Sequence, residues 1–221
     1  MSGFAWDWHF AWSIVPFLLT GAKLTIIATV LGSVIAFVLG MVWALIRMTQ
    51  IRILAPIVGL FVEFIRGTPL LIQLYFLFYV LPTWGMSMPA LTTGVIGLGL
   101  FYSAYAAEIY RAGIEELPVG QWEAALTMGL PLRRVWLGIV LPQAVRTVLP
   151  VLGNQVVAMF KETALLSTIT VMELLAQAKN IGSIEFRYVE PLTLAGLFYL
   201  TISYVAARGL RRLETTHAVH G

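Results

Sequence analysis

Long uncharged stretches, rather than alternating apolar and polar positions, dominate this chain. No charged residue interrupts Leu24 to Ile46 before Arg47 and Arg52 close the run, and about 20 apolar residues suffice to cross the ~30 Å hydrocarbon core of a bilayer. The next uncharged run, Gly67 to Ala107, is 41 residues long and is broken by Pro82, Gly85 and Pro89. It is too long for one crossing, so it holds parts of two. The pattern predicts an all-α integral membrane protein with five transmembrane helices, over about 17–46, 54–81, 91–112, 147–172 and 190–210, in a single transmembrane domain over residues 1–221.

Composition sharpens this. The 221 residues are 59% hydrophobic and 11% charged, where soluble proteins carry roughly 25% charged residues. Folded in water, the chain would expose far more hydrocarbon than monomers tolerate. Its net charge of +3 comes from basic residues in runs no longer than a pair. Such charges set membrane topology; they do not build a phosphate-binding patch, so membrane lipid and not nucleic acid is the expected surrounding. Zero cysteines remove thiol, iron–sulfur and disulfide chemistry, and His9, His217 and His220 sit too near the ends to build a metal site within the membrane. Asp7 precedes the first cation, Lys23, so the basic region of a secretory signal is missing and the first apolar segment is expected to be kept.

The cations also give direction. Arg47, Arg52, Arg111, Arg133, Arg134, Arg146, Arg208, Arg211 and Arg212 fall on one side of the predicted spans and only Lys179 and Arg187 on the other. Positive-inside bias then predicts an N-out, C-in orientation. Small residues recur every four positions in the first span, at Gly32, Ala36, Gly40 and Ala44, and in the third, at Gly99, Ser103 and Ala107. Such stripes let backbones approach closely and are expected to pack helices within one subunit.

The largest inside segment, 113–146, falls between spans three and four. It reads as a helix–turn–helix on the cytoplasmic face: a helix over Gln121 to Met128, Gly129 suited to the left-handed position that ends it, and Pro131 opening the next. Trp122, Ala125 and Leu126 share one side and leave Glu123 on another. Ala124 and Ala125 permit close seating against a partner, Glu123 offers one carboxylate for a basic group, and Gly129 fixes the turn. A connector resting on lipid headgroups is the plainer alternative.

Charges also fall inside spans, where each costs about 2.5 kcal/mol or much more and marks a cavity or a partner. Arg66 lies near the centre of the second span, with Glu63 one turn before and Gln73 two turns after. Glu63 and Arg66 either pair at i, i+3 or face a pathway. Pro69 cannot donate to the Ile65 carbonyl and Gly67 loosens the same turn, so a kinked or unwound helix is expected at 66–69. In the fourth span Asn154, Lys161 and Thr168 recur at seven-residue intervals, with Gln155 and Glu162 on the neighbouring face. A small zwitterion would suit such a site, its carboxylate on Arg66 or Lys161 and its cation on Glu162 or Glu63.

The spacing Glu123-Ala124-Ala125, three residues, Gly129, nine residues, Ile139, one residue, Leu141-Pro142 resembles the EAA motif of membrane subunits of ATP-binding-cassette importers. Glu63 to Gln73 (EFIRGTPLLIQ), Lys161-Glu162-Thr163, Ala104 to Arg111 and Gly120-Gln121 resemble the polar amino acid uptake permeases for histidine, glutamine, glutamate, arginine and opines, over about residues 20–212. The resemblance implies a coupling helix at Glu123, Ala124, Ala125, Gly129, Ile139, Leu141 and Pro142, and a substrate pathway at Arg66, Gln73, Lys161 and Glu162, to which the span reading adds Glu63 and Asn154. It also implies a second permease copy or sister chain, a cytoplasmic ATPase dimer, a periplasmic or lipid-anchored solute-binding protein, and the bacterial inner membrane. The chain has no G-x-x-x-x-G-K-[ST] loop, so it is expected to bind no cofactor; ATP and Mg belong to the partner ATPase. Met159 to Ser167, Ile181-Gly182-Ser183 and Phe186 to Pro191 look like permeases for ectoine and hydroxyectoine, and the charges fit either cargo. A secondary transporter or channel acting alone is an alternative, though no internal repeat is evident. An intramembrane enzyme is another, though it would lack histidine, cysteine and metal ligands.

Overall fold

The computed structural model describes residues 6–49 and 51–218, apart from the side chains of Trp122, Leu126 and 211–218. The expected shared face of Trp122 and Leu126, the side chains of Arg211, Arg212 and His217, and His220 lie outside what is described. Among the described residues the secondary structure is entirely helical: α1 (Trp8–Met48), α2 (Leu54–Gly67), α3 (Leu70–Tyr75), α4 (Ala90–Glu115), α5 (Val119–Thr127), α6 (Leu132–Val135), α7 (Leu141–Glu162), α8 (Leu174–Ile184) and α9 (Val189–Ala218). Four helical stretches are long and apolar enough to cross a membrane, and the bent pair α2–α3 would make a fifth.

The third and fifth expected spans coincide with α4 and the first part of α9. The others differ. α1 begins at Trp8, not near 17, because Asp7 accepts the Phe10 amide at 3.0 Å and caps it, and the helix runs on through Pro16, which takes away one helical donor. Its 41 residues extend about 60 Å at 1.5 Å per residue. The expected second span is two helices, Leu54–Gly67 and Leu70–Trp84, meeting at 103°. The fourth does not start near 147: helix runs without a gap from Leu132 to Ile169, so the second half of the 113–146 segment is the beginning of that helix. α8 replaces what reads in the sequence as a connection. Glu173 starts it, fully buried and accepting the Leu175 and Ala176 amides at 2.9 and 2.7 Å, a carboxylate cap that stabilises orphan N–H groups.

Two π-helical stretches, Phe76–Val80 and Trp136–Val140, precede the same tripeptide, Val-Leu-Pro, at 80–82 and 140–142. In both, the leucine amide bonds five residues back, Leu81 to Phe76 and Leu141 to Trp136. The following proline has no N–H to continue an α ladder, and the wider turn absorbs that loss without ending the helix.

α1 and α4 form the spine of the bundle. The small stripes interlock within the one chain: a Cβ added at Gly40 would stand 2.6 Å from Ala106 Cβ, and one at Gly99 would stand 2.5 Å from Ile35. Ala28 and Ala36 join Leu98, Tyr102, Met159 and Leu166 in the largest cluster. The first half of α1 packs instead on α8 and α9 through Ile14, Leu18, Leu174 and Ala195. Along the middle of α1, Ile26, Val30, Val34 and Val38 are each 45% exposed or more and form an apolar stripe.

Candidate substrate and coupling sites

The helix break is built from Gly67, Thr68 and Pro69. Thr68 is extended and Pro69 opens α3, which leaves the last carbonyls of α2 without helical donors. Gln73 supplies them: its Nε2 donates to the Ile65 carbonyl at 2.8 Å, the Thr68 carbonyl at 3.2 Å and Thr68 Oγ1 at 2.7 Å, while the Thr68 hydroxyl donates to the Phe64 carbonyl at 3.1 Å. The Gln73 amide therefore holds the break. Gly67 borders open space, with nothing within 4 Å of where a Cβ would sit.

Arg66 does not pair with Glu63. α2 lies against α4 through Val58, Val62, Ile65, Ala104 and Ala107, and this sets Arg66 beside Glu108 at 3.4 Å and over the Tyr105 ring at 5.4 Å. Glu108 also accepts from Arg47 and, at 3.0 Å, from Arg111, which reaches Glu115 at 2.5 Å. One carboxylate thus ties the ends of α1, α2 and α4, and it outcompetes an i, i+3 partner on a helix that stops one residue later. Glu108 is not among the site residues expected from the sequence, although a carboxylate at the end of a span that the topology brings beside Arg47 is a signal for it.

On α7, Gln155 and Glu162 face α4 together. Gln155 Nε2 donates to the Tyr102 carbonyl at 2.8 Å, and Glu162 interacts with the Tyr102 hydroxyl. Oε2 of Glu162 is buried and has no hydrogen-bond partner among the described residues. Tyr102 and Tyr105 lie 6.3 Å apart, centroid to centroid. Arg66 thus lies over Tyr105 and Glu162 near Tyr102, two neighbouring tyrosines of α4 whose rings are tilted by 46°. Neither tyrosine is singled out as a site residue by sequence, because a tyrosine in an apolar run reads equally well as an interface aromatic.

The other expected pathway residues do not join this group. Glu63, Asn154 and Lys161 are exposed and make no ion pair or side-chain hydrogen bond among the described residues. Lys161 and Glu162 end α7. A 3₁₀ stretch, Thr163–Ile169, follows, so the seven-residue spacing of Asn154, Lys161 and Thr168 carries across a change of helix type and stops marking one face.

In the 113–146 segment Gly129 adopts φ +68° and the Leu130 amide bonds the Ala125 carbonyl at 3.2 Å. Ala125 is buried with Ile114, Val135, Val140 and Ala144, and Met48, Leu130 and Ile139 pack around them. Glu123, Ala124, Gly129 and Pro142 are exposed and Leu141 is half-buried. The segment presents its carboxylate and one alanine outward and anchors itself through the other alanine. At the far end of α1, Arg187 pairs with Asp7 at 3.3 Å and with Glu190. The Phe10 amide, followed by the Arg187 guanidinium, holds the Asp7 carboxyl below the usual carboxylate range against an opposing effect of burial.

No group of three or more His, Cys, Asp or Glu among the described residues could hold a metal. Residues 36–216 match the family of binding-protein-dependent transport system inner membrane components. The chain is similar to a probable amino-acid ABC transporter permease protein, y4tG, of Sinorhizobium fredii, 44% identical over 217 residues, 96% of this chain and 94% of the relative. It is also similar to the glutamine transport system permease protein GlnP of Escherichia coli, 35% identical over 94% of this chain and 96% of the relative. The crystal structure of an amino acid ABC transporter with histidines superposes with a TM-score of 0.91 at 34% identity, covering 96% of this chain and 100% of that one. The inward-facing MetNI methionine ABC transporter shares the fold at TM-score 0.77 and 18% identity, over 92% and 97% of the two chains. The chain belongs to the binding-protein-dependent transport system inner membrane components, and is a non-catalytic permease subunit of an importer in the bacterial inner membrane.

Proposed function

We propose that this subunit carries a small polar zwitterion, an amino acid or an ectoine-type solute, by alternating access across a five-span, N-out, C-in domain formed by residues 1–221. It works with a second permease copy or a sister chain, a cytoplasmic ATPase dimer that holds ATP and Mg, and an external solute-binding protein. Amino-acid transport in the relatives supports the substrate class. One observation in this chain carries it: Glu162 Oε2 is buried with no hydrogen-bond partner among the described residues, near Tyr102, whose neighbour Tyr105 lies under Arg66 beside open space at Gly67. A carboxylate oxygen that is buried and unbonded is costly unless a ligand supplies the missing donor, and a substrate ammonium does so, with Arg66 adding positive potential for the substrate carboxylate. Gln73 keeps the break open, and Glu63, Asn154 and Lys161 line the approach. Glu123, Ala124, Ala125, Gly129, Ile139, Leu141 and Pro142 form the cytoplasmic coupling helix–turn–helix that receives the ATPase.

The test is ATP-driven uptake in proteoliposomes holding the complete complex. Glu162→Gln, which keeps shape and removes charge, is expected to lower zwitterion uptake at least tenfold with assembly unchanged, the loss expected for one charge-assisted hydrogen bond of about 1.5–3 kcal/mol. Full uptake by Glu162→Gln and by Arg66→Ala would place the pathway elsewhere.

A further inference from the structure

The turn between α8 and α9 holds an exposed aromatic on a strained backbone. After a last ordinary helical bond from the Glu185 amide to the Ile181 carbonyl, the Arg187 amide bonds the Gly182 carbonyl, both at 3.0 Å, and the second of these is the six-to-one closing bond of a Schellman turn. Its left-handed position is ordinarily glycine. Here it is Phe186, at φ +53°. A bulky residue there costs conformational energy, and packing within the chain does not repay it, since Phe186 is 91% exposed.

The surroundings of the turn are fixed. The Tyr188 ring covers Gly182 so closely that a Cβ there would meet it at 2.5 Å. Arg187 is bonded to Asp7 at 3.3 Å, paired with Glu190, and set 4.9 Å over the Phe10 ring. Strain persists where surrounding structure over-determines it, and such residues gather at binding clamps. This clamp sits at the start of α1, whereas Met48 at its other end packs on the α5–α6 segment. The turn and the coupling segment therefore occupy opposite ends of a helix about 60 Å long.

We propose that Phe186 is the anchor on which the importer's solute-binding protein docks, a rigid aromatic knob that enters an apolar recess of that partner. The proposal rests on the N-out orientation above. Ile184 and Tyr188, 65% and 48% exposed, widen the apolar centre, and exposed Glu185 and Lys179 supply a charged rim, the arrangement of interface hot spots. A lipid-facing anchor needs no fixed backbone, while a docking knob gains affinity from being held in its bound shape before contact.

Because the chain has no cysteine, Phe186→Cys introduces a single reporter. Labelling by a membrane-impermeant maleimide on cells with a permeabilised outer membrane is expected; labelling only in inverted vesicles would remove the orientation on which docking depends. Phe186→Gly suits the positive φ and is expected to keep or raise the thermal stability of the assembled complex in nanodiscs. The concentration of binding protein giving half-maximal ATPase stimulation is expected to rise at least tenfold. An unchanged half-maximal concentration, with Phe186→Cys labelled from outside, would overturn docking and leave Phe186 as a lipid-interface aromatic.

Discussion

The α1–α4 seam and the α5–α6 segment use the same small residues to opposite ends. In the seam, a Cβ at Gly40 would stand 2.6 Å from Ala106 Cβ and 3.0 Å from the Ser103 carbonyl, and one at Gly32 would stand 3.4 Å from Leu98 Cβ. In the segment, Gly120 and Gly129 have nothing within 4 Å and Ala124 is exposed. Small residues with no space around them let two helices of one chain touch, where dispersion and close packing substitute for a hydrophobic drive that lipid does not supply. Small residues with space to spare do no packing within the chain; on the function proposed above, the room is left for what arrives from outside. Gly67, at the helix break, falls in the second class.

The largest expected consequence lies in the seam. Gly40→Leu has no direction in which to extend, because the atoms it meets are a Cβ and backbone of α4, not the tip of a flexible side chain. Overpacking typically costs about 1–3 kcal/mol where neighbours yield, and more where backbone cannot. The expected result is loss of the monodisperse peak of folded permease in size-exclusion chromatography. A peak eluting as the parent does would show that the seam opens, and the contrast with α5 would fail.

In the segment the expected loss is functional. Glu123→Arg and Ala124→Leu each alter an exposed side chain, and surface changes of this kind usually move stability by less than about 0.5 kcal/mol. Substrate-stimulated ATPase activity of the reconstituted complex is expected to fall at least tenfold in both, through a reversed charge in one and an occluded seat in the other. Ala125→Leu separates the two sides of the same helix: Ala125 is 1% exposed, so this variant is expected to lower thermal stability as well. Full stimulation in Glu123→Arg would return the segment to a lipid-resting connector.

What the sequence makes legible follows from how local each cause is. Spans are legible because a run of uncharged residues suffices to specify them, and the break at 66–69 because Pro69 lacks one particular N–H. The 103° bend is not legible: it depends on Gln73 reaching back to Ile65, a bond fixed by geometry eight residues apart. Nor is the choice of Glu108 over Glu63 by Arg66, since helical spacing favours the local pair and only the docking of α2 on α4 reverses it. The site follows the same rule. Glu162 stands out as a charge in an apolar run, while Tyr102 and Tyr105, which join it to Arg66, look like any membrane aromatic until α4 and α7 are set together. α8 hides because its 11 residues are too few for a span and its cap, Glu173, reads as a loop carboxylate.

One substitution made in both regions sharpens the comparison furthest, and its effect is the smallest. Gly40→Ala adds a single methyl at 2.6 Å from Ala106 Cβ, 3.0 Å from the Ser103 carbonyl and 3.1 Å from the Ala107 amide nitrogen. α1 and α4 must separate by several tenths of an ångström to admit it, which breaks contacts along the seam and costs about 1–3 kcal/mol. Gly120→Ala adds the same methyl where nothing lies within 4 Å, in the first turn of α5, and helix propensity then favours the change by up to about 1 kcal/mol. The two variants are therefore expected to move the apparent melting temperature of the purified complex in opposite directions, down for Gly40→Ala and slightly up for Gly120→Ala. A shift of the same sign in both would mean that the space around Gly120 is closed in the assembled importer. The outer face of α5 would then be held by its partner even at rest, and small residues there would serve packing between chains as those of the seam serve packing within one.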